Sequence, residues 1–227
     1  MKAVIIGPGR IGCGFAAQLL RRAGYEVTLV GRNPVLVDHL DRLRRYRIRL
    51  VEGRRQQVVL VDGVAALCTL DRKRVVDAIA GADLVTTAVG PENLPAVAVL
   101  AAEGLERRTA PVNVLAFENL ENAGPQLREL VAAQLPDPAA VAMHGFSSVL
   151  VDRIVSERQG ELWGDEPLTF VGDPPEEFIV HGPSLRPPLP EVDGMIVTDD
   201  YRACFLRKLY TFAAGHAITA YFGHLKG

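Results

Sequence analysis

Lys2-Ala-Val-Ile-Ile-Gly-Pro-Gly-Arg-Ile-Gly12 decides the fold of this chain. A short apolar run ending at a glycine reads as a buried strand. The G-x-G-x-x-G that follows opens a stretch with helical spacing (Ile11, Phe15, Leu19, Leu20), which Ala23-Gly24 closes. Residues 25–30 are then a second strand. Strand, glycine turn, helix and strand make a right-handed parallel unit. In such a unit Gly7 permits the tight turn, Gly9 lets a pyrophosphate approach the backbone, and Gly12 lets the helix pack on the sheet. Gly7, Pro8, Gly9, Arg10, Ile11 and Gly12 are therefore the expected phosphate-binding loop, with the phosphates on helix N-terminal amides.

The pattern continues outward. Helices are expected over 34–43, 71–80, 94–106 and 125–134, and buried strands over 83–88 and 112–116. Residues 46–51 and 57–61 read as a hairpin turning at Glu52-Gly53. After Asp137 the texture changes to short branched and aromatic runs, 168–171 and 178–180, between proline-rich turns. A long helix from about Asp200, capped by Thr198 or Asp199, ends the chain. The expected fold is α/β: a Rossmann-type, doubly wound, mainly parallel sheet over 1–137, a small β extension of the same domain over 138–198, and a C-terminal helix over 199–227.

The end of the second strand selects the cofactor. An NAD site places Asp or Glu there to accept hydrogen bonds from the ribose hydroxyls. This chain has Gly31-Arg32-Asn33 instead. Gly31 brings no carboxylate to repel a 2′-phosphate, and Arg32 can pair with that phosphate and stack on adenine. NADP(H) is expected in preference to NAD(H). Thr87, Ala88, Val89 and Gly90 follow a strand's carboxyl end, where open α/β sheets bind ligands, and are expected beside the nicotinamide ribose together with Thr86 and Pro91.

Of the 227 residues 48% are hydrophobic, and the net charge is −2, which gives no electrostatic case for nucleic-acid or membrane binding. The basic cluster Arg42, Arg44, Arg45, Arg47 and Arg49 reads as a solvated face. Three widely spaced cysteines form neither a metal pair nor a disulfide framework. With a strand at the N-terminus in place of a signal peptide, they predict a cytoplasmic chain with no metal.

Lys208 and His216 stand eight residues apart on the last, apolar helix. Gly7 to Gly14, 84–91, Glu118-Asn119, 151–155 and above all Gly215-His-Ala-Ile-Thr-Ala-Tyr221 resemble the mannitol-1-phosphate 5-dehydrogenase family of polyol-specific long-chain dehydrogenases. The resemblance implies zinc-independent hydride transfer between a polyol and a nicotinamide cofactor. It carries a Lys-x4-Asn-x2-His signature in which Lys208 matches the general base and His216 the substrate-orienting histidine. It also makes Asn119 one of two amides that polarise the reacting oxygen. The second amide falls on Ala213, which has no donor. The family's acidic residue at the ribose is replaced by Gly31. Family members continue into a helical domain near where this sequence stops, so a homodimer mate or another partner chain is expected over the apolar face of Phe205, Leu209, Phe212 and Tyr221.

The expected substrate is a small polyhydroxylated compound: a polyol, a sugar, free or phosphorylated, or a cyclitol. Two other functions remain open on the sequence. One is an epimerase or isomerase that retains its nicotinamide, and the other a non-catalytic nucleotide-binding subunit. Lys208 also reads as a lysine snorkelling at the edge of a buried helix, and His216 as a core histidine. Glu118 is open between structural and ligand-contacting roles, and Asp152-Arg153 reads as a structural ion pair.

Overall fold

A computed structural model describes residues 1–226, except the side chain of Glu157. Strand β1 (Lys2–Ile6) sits inside an eight-stranded sheet of order β12-β11-β8-β7-β6-β1-β2-β5. Its other members are β2 (Glu26–Gly31), β5 (Ala65–Cys68), β6 (Leu84–Thr87), β7 (Asn113–Ala116), β8 (Gly145–Val151), β11 (Phe178–His181) and β12 (Met195–Thr198). Every pairing is parallel except β11 with β8. The chain leaves β1 toward β2 on one side and later returns to its other side as β6. The carboxyl ends of β1 and β6 are thus the topological switch point where such sheets bind ligands.

Side chains alternate across the sheet. Ala3 and Ile5 enter one core, and Val4 and Ile6 the other. The second core packs under helices α3 (Arg72–Ala80), α4 (Leu94–Glu106) and α5 (Ala123–Ala132). The first lies under α1 (Ala17–Arg22) and α2 (Pro34–Leu43), and under a second sheet of order β4-β3-β10-β9. That sheet joins the expected hairpin, β3 (Arg45–Glu52) and β4 (Arg55–Asp62), to β9 (Val155–Gln159) and β10 (Thr169–Gly172). Residues after Asp137 therefore supply strands to both sheets: β8, β11 and β12 extend the main one, while β9 and β10 complete the other.

The glycine loop is built as its residues require. Gly7 has φ 110°, and a Cβ there would meet the Ala88 carbonyl oxygen at 2.4 Å. A Cβ on Gly12 would lie 1.9 Å from the Gly7 carbonyl oxygen, so helix and strand touch only because both positions lack side chains. The helix then opens through one π turn, Gly12–Ala16, in which the Ala17 N–H reaches back five residues to the Gly12 carbonyl. Such a turn displaces carbonyls from the regular ladder. Two of them find side-chain donors: the Tyr46 hydroxyl donates to Cys13 O at 2.8 Å and Arg153 Nη1 to Gly14 O at 3.1 Å.

Arg153 is buried, and its remaining hydrogen bonds reach Gln18 Oε1 and the Pro174 and Pro175 carbonyls. Its guanidinium stacks 5.1 Å from the centroid of Phe15, which packs edge-on with Phe117 and Phe178. The Asp152-Arg153 ion pair expected from sequence gives way to two others, Arg153–Glu176 at 3.8 Å and Lys208–Asp152 at 3.9 Å. Successive residues on an extended segment point to opposite sides, which separates these neighbours.

The chain's last helix comprises α6 (Tyr201–Lys208), a π turn (Leu209–Ala213) and α7 (Ala214–Lys226). Its cap is Asp200, whose carboxylate accepts from Ala203 N, rather than Thr198 or Asp199. Beyond Lys208 the apolar side chains Leu209, Tyr210, Phe212, Ile218, Tyr221, Phe222 and Leu225 are exposed.

Arg153→Met removes the donors for four buried or half-buried acceptors. It is expected to lower unfolding stability by about 3–5 kcal/mol. Urea denaturation followed by far-UV circular dichroism measures this, and an unchanged midpoint would contradict the assignment.

Candidate functional site

Two cavities meet the carboxyl edge of the main sheet, one on each side of the glycine loop. The first, about 490 Å³, is lined by Gly7, Pro8 and Gly9, by Gly31, Arg32 and Asn33 at the end of β2, by Ala88 and Val89 after β6, and by α4 residues. A Cβ built on Gly9 would have nothing within 4 Å, so its backbone is open to a ligand. The second cavity, about 360 Å³, is lined by Ile11, Glu118, Asn119, Val149 to Val151, Arg153 and, from the last helix, Phe205, Lys208, Leu209 and Ala213.

Glu118 joins the walls of the two. Its buried carboxylate accepts from Thr87 Oγ1 at 2.7 Å and from Val89 N at 2.9 Å, fixing the turn after β6 against the end of β7. Burial raises its pKa above the ordinary 4.5, and these hydrogen bonds only partly oppose the shift. Glu118 is thus structural and also lines the second cavity.

Lys208 is half buried. Its Nζ donates to the Val151 carbonyl, and desolvation lowers its pKa from the usual lysine value, with Asp152 acting in the opposite direction. Lys208 and Ala213 both line the cavity although five residues separate them. Inside the π turn backbone bonds span five residues, as in Ala214 N–H to Leu209 O, so side chains five apart share a face. Asn119 lines the same cavity. Lys208, Asn119 and Ala213 thus line one cavity. His216 lies on the exposed part of α7 and is not among the lining residues.

At the first cavity the expected residues take several roles. Arg32 is exposed, with Nη1 3.4 Å from Asn93 Oδ1. Asn33 caps α2, its Oδ1 accepting from Val35 N and Leu36 N. Arg10 extends toward Ser156 O at 3.5 Å. Gly90 has φ 88° and precedes the turn into α4. Thr86 and Thr87 are fully buried, and among the described residues the Thr86 hydroxyl has no hydrogen-bond partner. Gly31 is a steric requirement, because a Cβ there would come within 2.6 Å of Pro8 Cγ and 3.1 Å of Val37 Cγ2. The Pro8 ring fills the place that an acidic side chain would need. Sequence reasoning missed Thr69 and Arg72, which also line this cavity; their signal is positional, one strand over from Gly31.

Residues 1–194 match the mannitol dehydrogenase Rossmann domain. The chain belongs to the mannitol dehydrogenase family. Within it, the whole chain is 39% identical to a mannitol-1-phosphate 5-dehydrogenase of Shouchella clausii and 35% identical to one of Geobacillus stearothermophilus. It spans 61% and 60% of those relatives' lengths. Among solved structures, a Pseudomonas fluorescens mannitol 2-dehydrogenase in ternary complex with NAD and D-mannitol superposes with a TM-score of 0.76, covering 92% of this chain and 55% of that one at 14% identity. A Ralstonia eutropha ketopantoate reductase of the PanE/ApbA family follows at 0.60, covering 92% and 60% at 18% identity. At such identities the likeness establishes the Rossmann-like fold that this mannitol dehydrogenase family member shares with them.

The pH dependence of stability tests the Glu118 environment. A carboxyl with a raised native pKa contributes most below its unfolded value and loses that contribution as pH rises through the native value. The stability of wild type relative to Glu118→Gln should therefore fall as pH increases from 4.5. Urea denaturation across that range measures it, and a difference independent of pH would contradict the raised pKa.

Proposed function

We propose that this chain carries the cofactor site and the proton-transfer group of an oxidoreductase that interconverts a hydroxyl and a carbonyl on a polyol or related polyhydroxylated compound, and that it uses NADP(H) in preference to NAD(H). The carrying observation is the cavity pair: Gly7, Pro8 and Gly9 line the first, while Ile11 of the same loop lines the second together with Lys208, whose pKa is lowered. Family membership supports a polyol as the substrate class and a nicotinamide as the cofactor.

The residues present fit such a cofactor. Gly7 supplies the tight turn, Gly9 an unobstructed backbone, and the amides at the start of the following helix an anion site. Arg32 supplies a cation beside the ribose position, and no carboxylate stands at Gly31. When bound, the nicotinamide donates or accepts the hydride. Lys208 handles the proton. In the oxidation direction its neutral Nζ accepts the substrate hydroxyl proton, and in reduction the ammonium returns it. The Val151 carbonyl orients Nζ in both states, since an amine and an ammonium both retain N–H donors. The Asn119 amide can donate to the reacting oxygen, while Ala213 offers nothing there.

Nicotinamide absorbance, followed over a panel of polyols and ketoses, free and phosphorylated, tests the reading. Turnover with NADP(H) exceeding that with NAD(H) is expected, and no turnover with any panel member would overturn the oxidoreductase assignment. Lys208→Met should lose about 10²–10⁴ in kcat and keep its NADPH affinity. The oxidation rate should rise with pH through an apparent pKa below 10.5, and Asp152→Asn should move that limb to lower pH. Wild-type rates in Lys208→Met would remove the lysine from the mechanism.

A further inference from the structure

The cavity at the end of β2 holds a second arginine. Thr69 and Arg72 line it together with Arg32 and Asn33, and none of its lining residues is acidic. Both follow β5, the strand beside β2, where Cys68 is in register with Gly31 and Thr69 N donates to the Gly31 carbonyl at 2.9 Å. Thr69 therefore stands beside Gly31, and Arg72 opens helix α3 three residues later.

Arg72 is an exposed side chain that is held along one edge. Its Nε donates to Glu103 Oε2 at 3.0 Å and its Nη2 to Glu103 Oε1, the carboxylate coming from α4. A bidentate pair fixes the plane of a guanidinium as well as its position. Among the described residues Nη1 of Arg72 makes no hydrogen bond, so that edge is left for a ligand. Arg32, by contrast, is held by a single long contact to Asn93. One cation supplies charge with little fixed geometry, and the other supplies charge in a fixed orientation.

We infer that Arg72, with Glu103 as its positioning residue, forms the second cationic arm of a 2′-phosphate subsite, so that Arg32 and Arg72 together set the preference for NADP(H). The inference rests on reading this cavity as the adenosine half of a nicotinamide dinucleotide site. A phosphate there would lie between guanidinia from two separate elements, with the Thr69 hydroxyl available as a further donor.

The test is to titrate wild type, Arg72→Ala, Arg72→Lys and Glu103→Gln with NADPH and NADH, and with adenosine 2′,5′-bisphosphate against 5′-AMP to probe the subsite alone. Arg72→Ala should weaken NADPH and the bisphosphate about tenfold or more while leaving NADH and 5′-AMP unchanged. Arg72→Lys should recover part of the loss, and Glu103→Gln should show a smaller loss confined to the 2′-phosphorylated ligands. The wild-type gap between the two cofactors should narrow as salt is raised. Equal losses on NADPH and NADH, or an unchanged ratio in Arg72→Ala, would overturn the inference. A wild type that prefers NADPH, with a ratio indifferent to Arg72, would defeat this assignment alone. A wild type that binds NADH as tightly as NADPH would defeat the NADP(H) reading and this inference with it.

Discussion

The buried guanidinium of Arg153 is the interaction on which the other parts depend. It donates to Gly14 O and Gln18 Oε1 on the dinucleotide helix and to the Pro174 and Pro175 carbonyls in the turn between β10 and β11. The segment that carries it links β8 of the main sheet to β9 of the second. A buried arginine is tolerated only when its donors are satisfied, so satisfying them fixes the distance between the two sheets and the helix between them. The π turn at Gly12–Ala16 is part of the same arrangement, because it turns the Gly14 carbonyl toward that guanidinium. Val151 and Asp152, just before Arg153, then fall where Lys208 can reach them.

The same economy appears at the second π turn. A regular helix would carry residues 208 and 213 to different faces, whereas the five-residue bond spacing returns them to one. The Lys-x4-x spacing is therefore legible only with the turn in view. On the other side of the glycine loop, Pro8 and Gly31 are a matched pair: the ring occupies the space that any β2-end side chain would need. The change from an acidic residue to glycine is thus built into the packing, and no carboxylate lines that cavity, Arg72 being paired with Glu103 from α4.

Much of this architecture was legible in the sequence. Helices α2 and α4 fall on the residues that periodicity and capping indicate, and the hairpin turns where Glu52-Gly53 place it. The strands that escaped notice share a physical cause. β8 interrupts its apolar run with Ser147 and Ser148, whose hydroxyls are accommodated by His181 N, Gly124 N and the Ser148 carbonyl. β9 reads as a polar loop and becomes a strand only through its pairing with β10. β5 is four residues long, and β12 borders β11 with half its residues exposed. At the site, the glycine loop, Lys208 and Asn119 could be named from pattern or resemblance. Arg72, Glu118's hydrogen bonds and the partners of Arg153 depend on contacts between distant segments, which no local pattern encodes.

The central claim is that the two cavities are halves of one site joined over the glycine loop. A crystal structure of the chain with NADP⁺ tests it most directly. The account predicts the adenosine half between Arg32 and Arg72, the pyrophosphate over Gly9, and the nicotinamide ring entering the cavity of Asn119 and Lys208. A nucleotide bound with its nicotinamide turned away from Lys208, or bound outside the glycine loop, would contradict it.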